Sequence, residues 1–185
     1  MPEPVRTGSL DGKLLSTAEI TITPLAPATR LIFRGKPAAI AAAGTAFGAP
    51  LSLTACRAVT FEDRSALWLG PDEYLLITPD GIAESLEQRF ADALGTLPYA
   101  LVDVSQRQTG LTITGAKAAI ALNAGCPLDL DLAEFPVGMC TRTVFCKAEI
   151  VLWRRSPERF HIEVWRSFSN YVWELLALAA QEGDI

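Results

Sequence analysis

A short run of this chain occurs twice. GKPAAIA, from Gly35 to Ala41, matches GAKAAIA, from Gly115 to Ala121, at an offset of 80, with Gly35/Gly115, Ala38/Ala118, Ala39/Ala119, Ile40/Ile120 and Ala41/Ala121 identical. The flanks match as well. TRLIF precedes the first copy and TGLTI the second, both strand-like, while APL at 49–51 and CPL at 126–128 follow the two helical stretches. Further on, ALWLGPDEYLLI and IVLWRRSPERFHIEV both read as two strands around a Pro-containing turn, setting Leu67-Trp68 against Leu152-Trp153, Pro71 against Pro157 and Tyr74 against Phe160. An amphipathic helix follows each hairpin. Self-similarity of this kind constrains a fold strongly, because each copy must take up the same supersecondary unit. The shared order is strand, helix, hairpin, helix. It predicts an α+β fold of two similar halves, about 29–104 and 109–181, whose mixed or antiparallel sheets are covered by helices. The halves lie within a compact unit spanning 19–185.

Local patterns agree with that order. Phe168, Tyr171, Val172, Leu175, Leu176 and Ala179 recur at helical spacing behind a Ser167 N-cap, and Ile82, Leu86, Phe90 and Ala93 do so behind Pro79-Asp80-Gly81. The runs Ala100 to Val104 and Met139 to Cys146 carry the Val, Thr, Leu and aromatic residues of half-buried strands. On the second run Cys140 and Cys146 lie six apart and are expected to share a face. Gly35 and Gly115 are expected to end strands where the backbone turns into a helix. Residues 1–18 are polar and aperiodic, and predict a flexible N-terminal arm that a partner could order.

Composition then bears on function. Hydrophobic residues make up 50% of the chain and charged residues 20%, against about 25% charged in an average soluble domain. A chain of 185 residues buries roughly 70% of its unfolded surface, so an apolar surplus remains to be covered, and a protein partner is the natural cover. A net charge of −5 offers no source for the phosphate-neutralising attraction that nucleic-acid binding needs. Neither a leader-like segment nor a run of about 20 apolar residues occurs, so the expected chain is cytoplasmic, with no membrane contact. Cys56, Cys126, Cys140 and Cys146 form no close pair, His161 is the sole histidine, and no zinc-ligand spacing results. Reduced thiols in the core are the expectation.

Residues able to do chemistry are scattered. His161 lies mid-strand in RFHIEV without a nucleophile motif, Asp72 and Glu73 fall in the turn GPDE, and Asp129 and Asp131 fall in the loop CPLDLDLAEF. Turns and loops ordinarily carry solvated acids, and neither phosphate-binding glycine motif is present. No catalytic, cofactor-binding or metal residue is expected. Trp68 and Trp153 take equivalent places on the hairpins and read as core. Trp165 and Trp173 are less easily placed, and Trp173, off the apolar stripe of its helix, reads as a partner contact.

The run LVDVSQRQTGLTITGAKAAIALNAGCPLDL, then FPVGMCTRTVFCKAEIVLWRR, then RFHIEVWRSFSNYVWELL, resembles the gamma subunits of heterotetrameric sarcosine oxidases from about Ala58 to Ala179. GCPLDL, FPVGMCTRT and RSFSNYVWELL are its most specific pieces, and DVS at 103–105 is shared with folate-dependent aminomethyltransferases. The resemblance implies an aminomethyltransferase-like, folate-binding-like fold. It also implies a subunit of a complex that oxidatively demethylates sarcosine to glycine, releases hydrogen peroxide and passes the one-carbon unit to tetrahydrofolate. FAD, FMN, NAD and tetrahydrofolate would belong to the larger subunits, with none in this chain. The implied partners are the other subunits, chiefly the large folate-binding one, and self-association without them is compatible.

The sequence departs from active aminomethyltransferases at one place. Those enzymes carry a glycine-rich segment leading into paired aspartates, whereas Lys147 to Trp153 here read KAEIVLW, with Glu149 the only carboxylate. A general acid must lie within hydrogen-bond reach of its proton. The resulting expectation is a non-catalytic structural subunit, with a free-standing folate-binding or aminomethyl-transfer protein as the alternative.

Overall fold

The computed structural model describes residues 8–182, which fall into two compact units. One comprises Ala28–Gln106 with Gly138–Arg142. The other contains residues 8–27, Arg107–Val137 and residues 143–182. Among the described residues no helix is long and apolar enough to cross a membrane.

The first unit runs β3 (Ala28–Gly35), α1 (Pro37–Phe47), β4 (Ala58–Phe61), β5 (Arg64–Gly70), β6 (Glu73–Pro79), α2 (Ala83–Leu94) and β7 (Tyr99–Asp103). Its sheet has the order β4-β5-β6-β3-β7, antiparallel at every step. Local chemistry sets the ends of α1. Pro37 sits in the first turn, where its missing N–H costs nothing, and Gly48 caps the C-terminus at φ 82, donating its N–H to the Gly44 carbonyl at 2.9 Å. Phe33, Tyr74, Phe90 and Phe47 are fully buried, with the Phe33 and Phe90 rings 5.8 Å apart. The α2 stripe uses Leu86 and Phe90 as expected but ends on Leu94. Ala93 is exposed, because a helix stopping at Gly95 puts its last inward position at i+8 from Leu86.

The second unit contains β1 (Leu15–Ser16), β2 (Thr21–Pro24), β8 (Gln108–Thr114), α3 (Ala118–Asn123), the second half of β9 (Cys140–Phe145), β10 (Ala148–Ser156), β11 (Arg159–Trp165) and α4 (Ser169–Glu182). The order of its sheet is β1-β2-β8-β11-β10-β9, and the pairs β1–β2, β2–β8, β8–β11 and β10–β11 are antiparallel. The duplicated order is thus strand, helix, strand, hairpin, helix, with β4 and β9 the added strands.

Several expectations need correcting. Of the proposed arm, residues 1–7 lie outside the described residues, and residues 8–18 are folded. Leu10 is 1% exposed, Leu15–Ser16 pairs with β2, and the Ser9 hydroxyl meets those of Thr109 and Ser169 at 3.1 and 2.7 Å. The last helix starts at Ser169, after a 3₁₀ turn over Arg166–Phe168, and its buried positions are Ser169, Val172, Trp173, Leu176 and Ala180. A tighter turn ahead of the helix shifts its phase, so Phe168 is exposed and Trp173 turns inward. Trp173 is therefore covered by its own chain, with Lys13 Nζ 5.6 Å from its ring centre.

The hairpin alignment also slips by one residue. Both hairpins carry an irregularity, at Trp68/Gly70 and at Arg154/Ser156, and aligning these makes Arg154 the counterpart of Trp68. Tyr74 and Phe160 then correspond, as expected, opposite Trp68 and Arg154 respectively. Trp153 points to the opposite face, beside His161, because a shift of one residue along a strand exchanges faces. Cys140 and Cys146 do not share a face either. Strand β9 ends at Phe145, and Cys146 opens the turn to β10 at φ 52, exposed, where the left-handed backbone of a two-residue hairpin breaks the strand period.

Candidate functional site

The residues singled out for chemistry do not converge. Asp72 pairs with Arg34 at 2.9 Å and Glu73 with Arg142 at 2.7 Å, both in the first unit. In the second unit Asp129 and Asp131 accept the backbone N–H groups of Asp131 and Ala133, at 2.8 and 2.9 Å, and so shape their own loop. His161 Nε2 lies 2.7 Å from Glu163 Oε1, both buried, with the Trp153 ring 5.6 Å from the imidazole. Glu149 is exposed on β10, between the buried Ala148 and Ile150. The stretch that would need an acid pair to serve a folate is therefore apolar packing, with Ala148, Ile150 and Leu152 all in the core. Its residues do not fit that ligand. Among the described residues no group of three or more His, Cys, Asp or Glu could hold a metal ion.

Arg154 is buried in the place that Trp68 holds in the other unit. Its Nη2 donates to the Leu130 carbonyl at 2.7 Å and its guanidinium carbon lies 4.5 Å from the Phe160 ring centre, while Nε and Nη1 have no hydrogen-bond partner among the described residues. Burial lowers its pKa, opposed by the charge of Asp131. The group fastens the Asp129–Asp131 loop to the sheet.

What the structure does assemble is an apolar groove of about 590 Å³ in the first unit, lined by Ile40, Gly44, Gly48, Pro50, Leu53 and Phe61 among others. Helix α1 supplies one wall, and its small residues Ala41 and Gly44 keep the trough open. The loop after α1 supplies the other, held in place by Tyr74, whose hydroxyl donates to the Ser52 carbonyl at 2.8 Å. Burial raises the pKa of that phenol. Leu53 and Phe61 stand on the rim, 72% and 55% exposed.

The duplicate explains why this groove is open. Gly48-Ala-Pro-Leu corresponds to Gly125-Cys-Pro-Leu, and the hairpin tip Phe61-Glu-Asp-Arg64 to Phe145-Cys-Lys-Ala148, each tip having φ 52 at its second residue. In the second unit Phe145 is 1% exposed and lies against Gly125, where an added Cβ would come within 2.8 Å of the ring. The first unit puts Arg64 against Gly48 instead, donating from Nη1 to the Phe47 carbonyl. Arg64 takes the space that Ala148 leaves free. Phe61 is consequently held outside. Residue type alone hid this, since Phe61 ends an ordinary strand run; the alanine-for-arginine exchange at the matching tip was the available signal.

The chain is a duplicated α+β protein whose candidate acids do not gather with His161 and which carries an apolar groove beside α1. Its relatives say which kind. The model of the sarcosine oxidase, gamma subunit family matches residues 34–182, and the chain belongs to that family. It is 31% identical over 167 residues to the sarcosine oxidase subunit gamma of Corynebacterium sp. strain U-96, covering 88% of this chain and 80% of that relative. With the subunit gamma of Corynebacterium sp. strain P-1 it shares 32% over 121 residues, 65% of this chain and 59% of that protein's length. Among solved structures, the heterotetrameric sarcosine oxidase from Corynebacterium sp. U-96 in complex with pyrrole 2-carboxylate contains a chain that superposes with TM-score 0.84 at 28% identity, covering 94% of this chain and 90% of that one. Glycine cleavage system aminomethyltransferase T from Bartonella henselae shares the fold, with TM-score 0.61 at 14% identity over 86% of this chain and 45% of its own. The folate-enzyme-like α+β fold expected from the sequence is the fold observed.

Proposed function

We propose that this chain is a non-catalytic structural subunit of a cytoplasmic sarcosine oxidase complex. The demethylation of sarcosine to glycine, with tetrahydrofolate as one-carbon acceptor, falls to the larger subunits, which carry FAD, FMN, NAD and the folate site. This chain lends them a rigid surface. The observation that carries the reading is Phe61, which stays out over an apolar groove while its duplicate Phe145 is packed away. A groove of about 590 Å³ has room for a short apolar segment with more than one large side chain, and the proposed occupant is such a segment of the large folate-binding subunit. Buried aromatic anchors in pockets are where interface energy concentrates.

Co-expression of the four subunits followed by size exclusion tests the proposal. The chain is expected to elute with the flavoprotein subunits, and Phe61→Asp to lower its retention at least tenfold without moving its own melting temperature. A chain that always elutes alone, or a Phe61→Asp chain retained like the parent, would sink the reading. So would tetrahydrofolate binding by the isolated chain in a calorimetric titration, which belongs to the free-standing folate-binding alternative.

A further inference from the structure

Two of the four cysteines lie on chain segments that run against each other. Cys56 and Cys140 each open a Cys-x4-Phe run, ending at Phe61 and Phe145, so the duplication supplies both thiols from the same place in the pattern. Arg57 and Met139 form an isolated antiparallel bridge, bracketed by Ala58 N–H to the Gly138 carbonyl at 2.9 Å and Cys140 N–H to the Cys56 carbonyl at 3.0 Å. The next residues outward, Cys56 and Cys140, are therefore cross-strand neighbours. Residues directly opposed in an antiparallel pair have Cα atoms about 4.5–5.5 Å apart. That separation lies inside the roughly 4.4–6.8 Å that a disulfide spans. Both residues belong to the first unit.

The two thiols differ in access. Cys56 is half-buried, on a left-handed backbone at φ 57, whereas Cys140 is fully buried with its Sγ donating to the Trp68 carbonyl at 3.5 Å. Burial pushes the Cys140 thiol up to about 12, and the nearby Cys56 adds to that rise. Oxidant reaches Cys56 first.

We propose that Cys56 and Cys140 form a peroxide-responsive dithiol, with Cys56 the attacking sulfur and Cys140 the one that closes the disulfide. In the first step Cys56 Sγ attacks hydrogen peroxide. An S–O bond forms, the O–O bond breaks, and the departing hydroxide leaves as water with the thiol proton. In the second, Cys140 Sγ attacks the sulfenic sulfur, so that the S–S bond forms and the S–O bond breaks. The released hydroxide takes the Cys140 proton. Two thiols lose two electrons in all, and one peroxide becomes two waters; a dithiol reductant reverses the change. Because Cys140 is fully buried and Cys56 only half-buried, the sulfenic acid forms on Cys56 and is the trappable intermediate. The cross-link ties the start of β9 to the loop feeding β4, five residues before Phe61.

Treating the full-length chain with hydrogen peroxide, then blocking thiols and digesting without reductant, tests the pairing. The expected result is loss of two of the four titratable thiols and a single cross-linked peptide joining Cys56 to Cys140, restored by dithiothreitol. In a Cys140→Ser chain the cross-link disappears and dimedone labels Cys56. Exposed Cys146 offers an intermolecular route, so the same digest is run on Cys146→Ser, where the Cys56–Cys140 peptide must persist. A cross-link that joins any other pair, or four thiols left unchanged after peroxide treatment, overturns the proposal, and the wild-type digest reads either outcome even if a variant fails to fold.

Discussion

Gly115→Ala is expected to be strongly destabilising. Gly115 follows β8 at φ 134, and its N–H donates to the Glu158 carbonyl at 2.9 Å. An added Cβ would lie 2.8 Å from the Glu19 carbonyl carbon and 3.0 Å from Ile20 Cα, with the Glu19 oxygen nearer still. All three are backbone atoms. No rotamer relieves such a clash, so either β8 or the segment entering β2 has to move, and Ile20, 2% exposed, moves with it. Strain of this kind belongs with the large single-site effects, roughly 4 kcal/mol or more, against a typical total of about 5–15 kcal/mol. Gly81→Ala is the control. Gly81 has φ 84 with nothing within 4 Å of an added Cβ, so it should cost only the left-handed backbone term of about 1–2 kcal/mol. Urea midpoints of the two variants measure the difference, and equal midpoints would show that Glu19 and Ile20 yield to a methyl group.

That glycine illustrates which parts of the fold were legible in the chain and which were not. Gly35 and Gly115 match in sequence and both close a strand, yet for different reasons. At Gly35 an added Cβ would come 2.8 Å from the Phe33 ring and 2.9 Å from Ala39 Cβ, so packing demands glycine there, whereas Gly115 is demanded by its φ and the backbone of Glu19 and Ile20 just before β2. Periodicity recovers the order of elements, because burial of one face needs only the correct alternation. It does not fix phase. The identical Leu-Trp pairs drew the hairpins into a register one residue off, and only the paired irregularities at Trp68/Gly70 and Arg154/Ser156 reveal that Trp68 answers to Arg154. Likewise Ile40 is buried and its duplicate Ile120 is 63% exposed, because α3, with 6 residues, is shorter than α1 with 11.

The site was less legible still. Chemistry announces itself by residue type: Asp72, Asp129 and Asp131 lie in a turn and a loop and His161 mid-strand as the sequence predicts, while Glu73 already opens β6. An apolar groove announces nothing, since its lining is made of residues that elsewhere fill a core. The cysteines show the same limit. Cys56 and Cys140 are 84 positions apart, and nothing in their spacing says that the Arg57–Met139 bridge brings their backbones together.

Phe145→Ala and Phe61→Ala are expected to separate by several kcal/mol although they remove the same atoms from the same place in the duplicated pattern. Phe145 is 1% exposed against Gly125, and truncating a ring so enclosed leaves a cavity costing roughly 3–5 kcal/mol. Phe61 is 55% exposed, so most of its apolar surface already meets water in the isolated chain. Its truncation should change stability by about 0.5 kcal/mol or less, the usual range for surface sites. Chemical denaturation of the isolated chain measures both. A Phe61→Ala chain destabilised as much as Phe145→Ala would mean that Phe61 closes over the groove in solution and leaves no seat for a partner. If the difference holds, the ring that stabilises one half has become available for association in the other. The exchange responsible is at the neighbouring tip position, where Arg64 holds the space beside Gly48 that Ala148 concedes to Phe145.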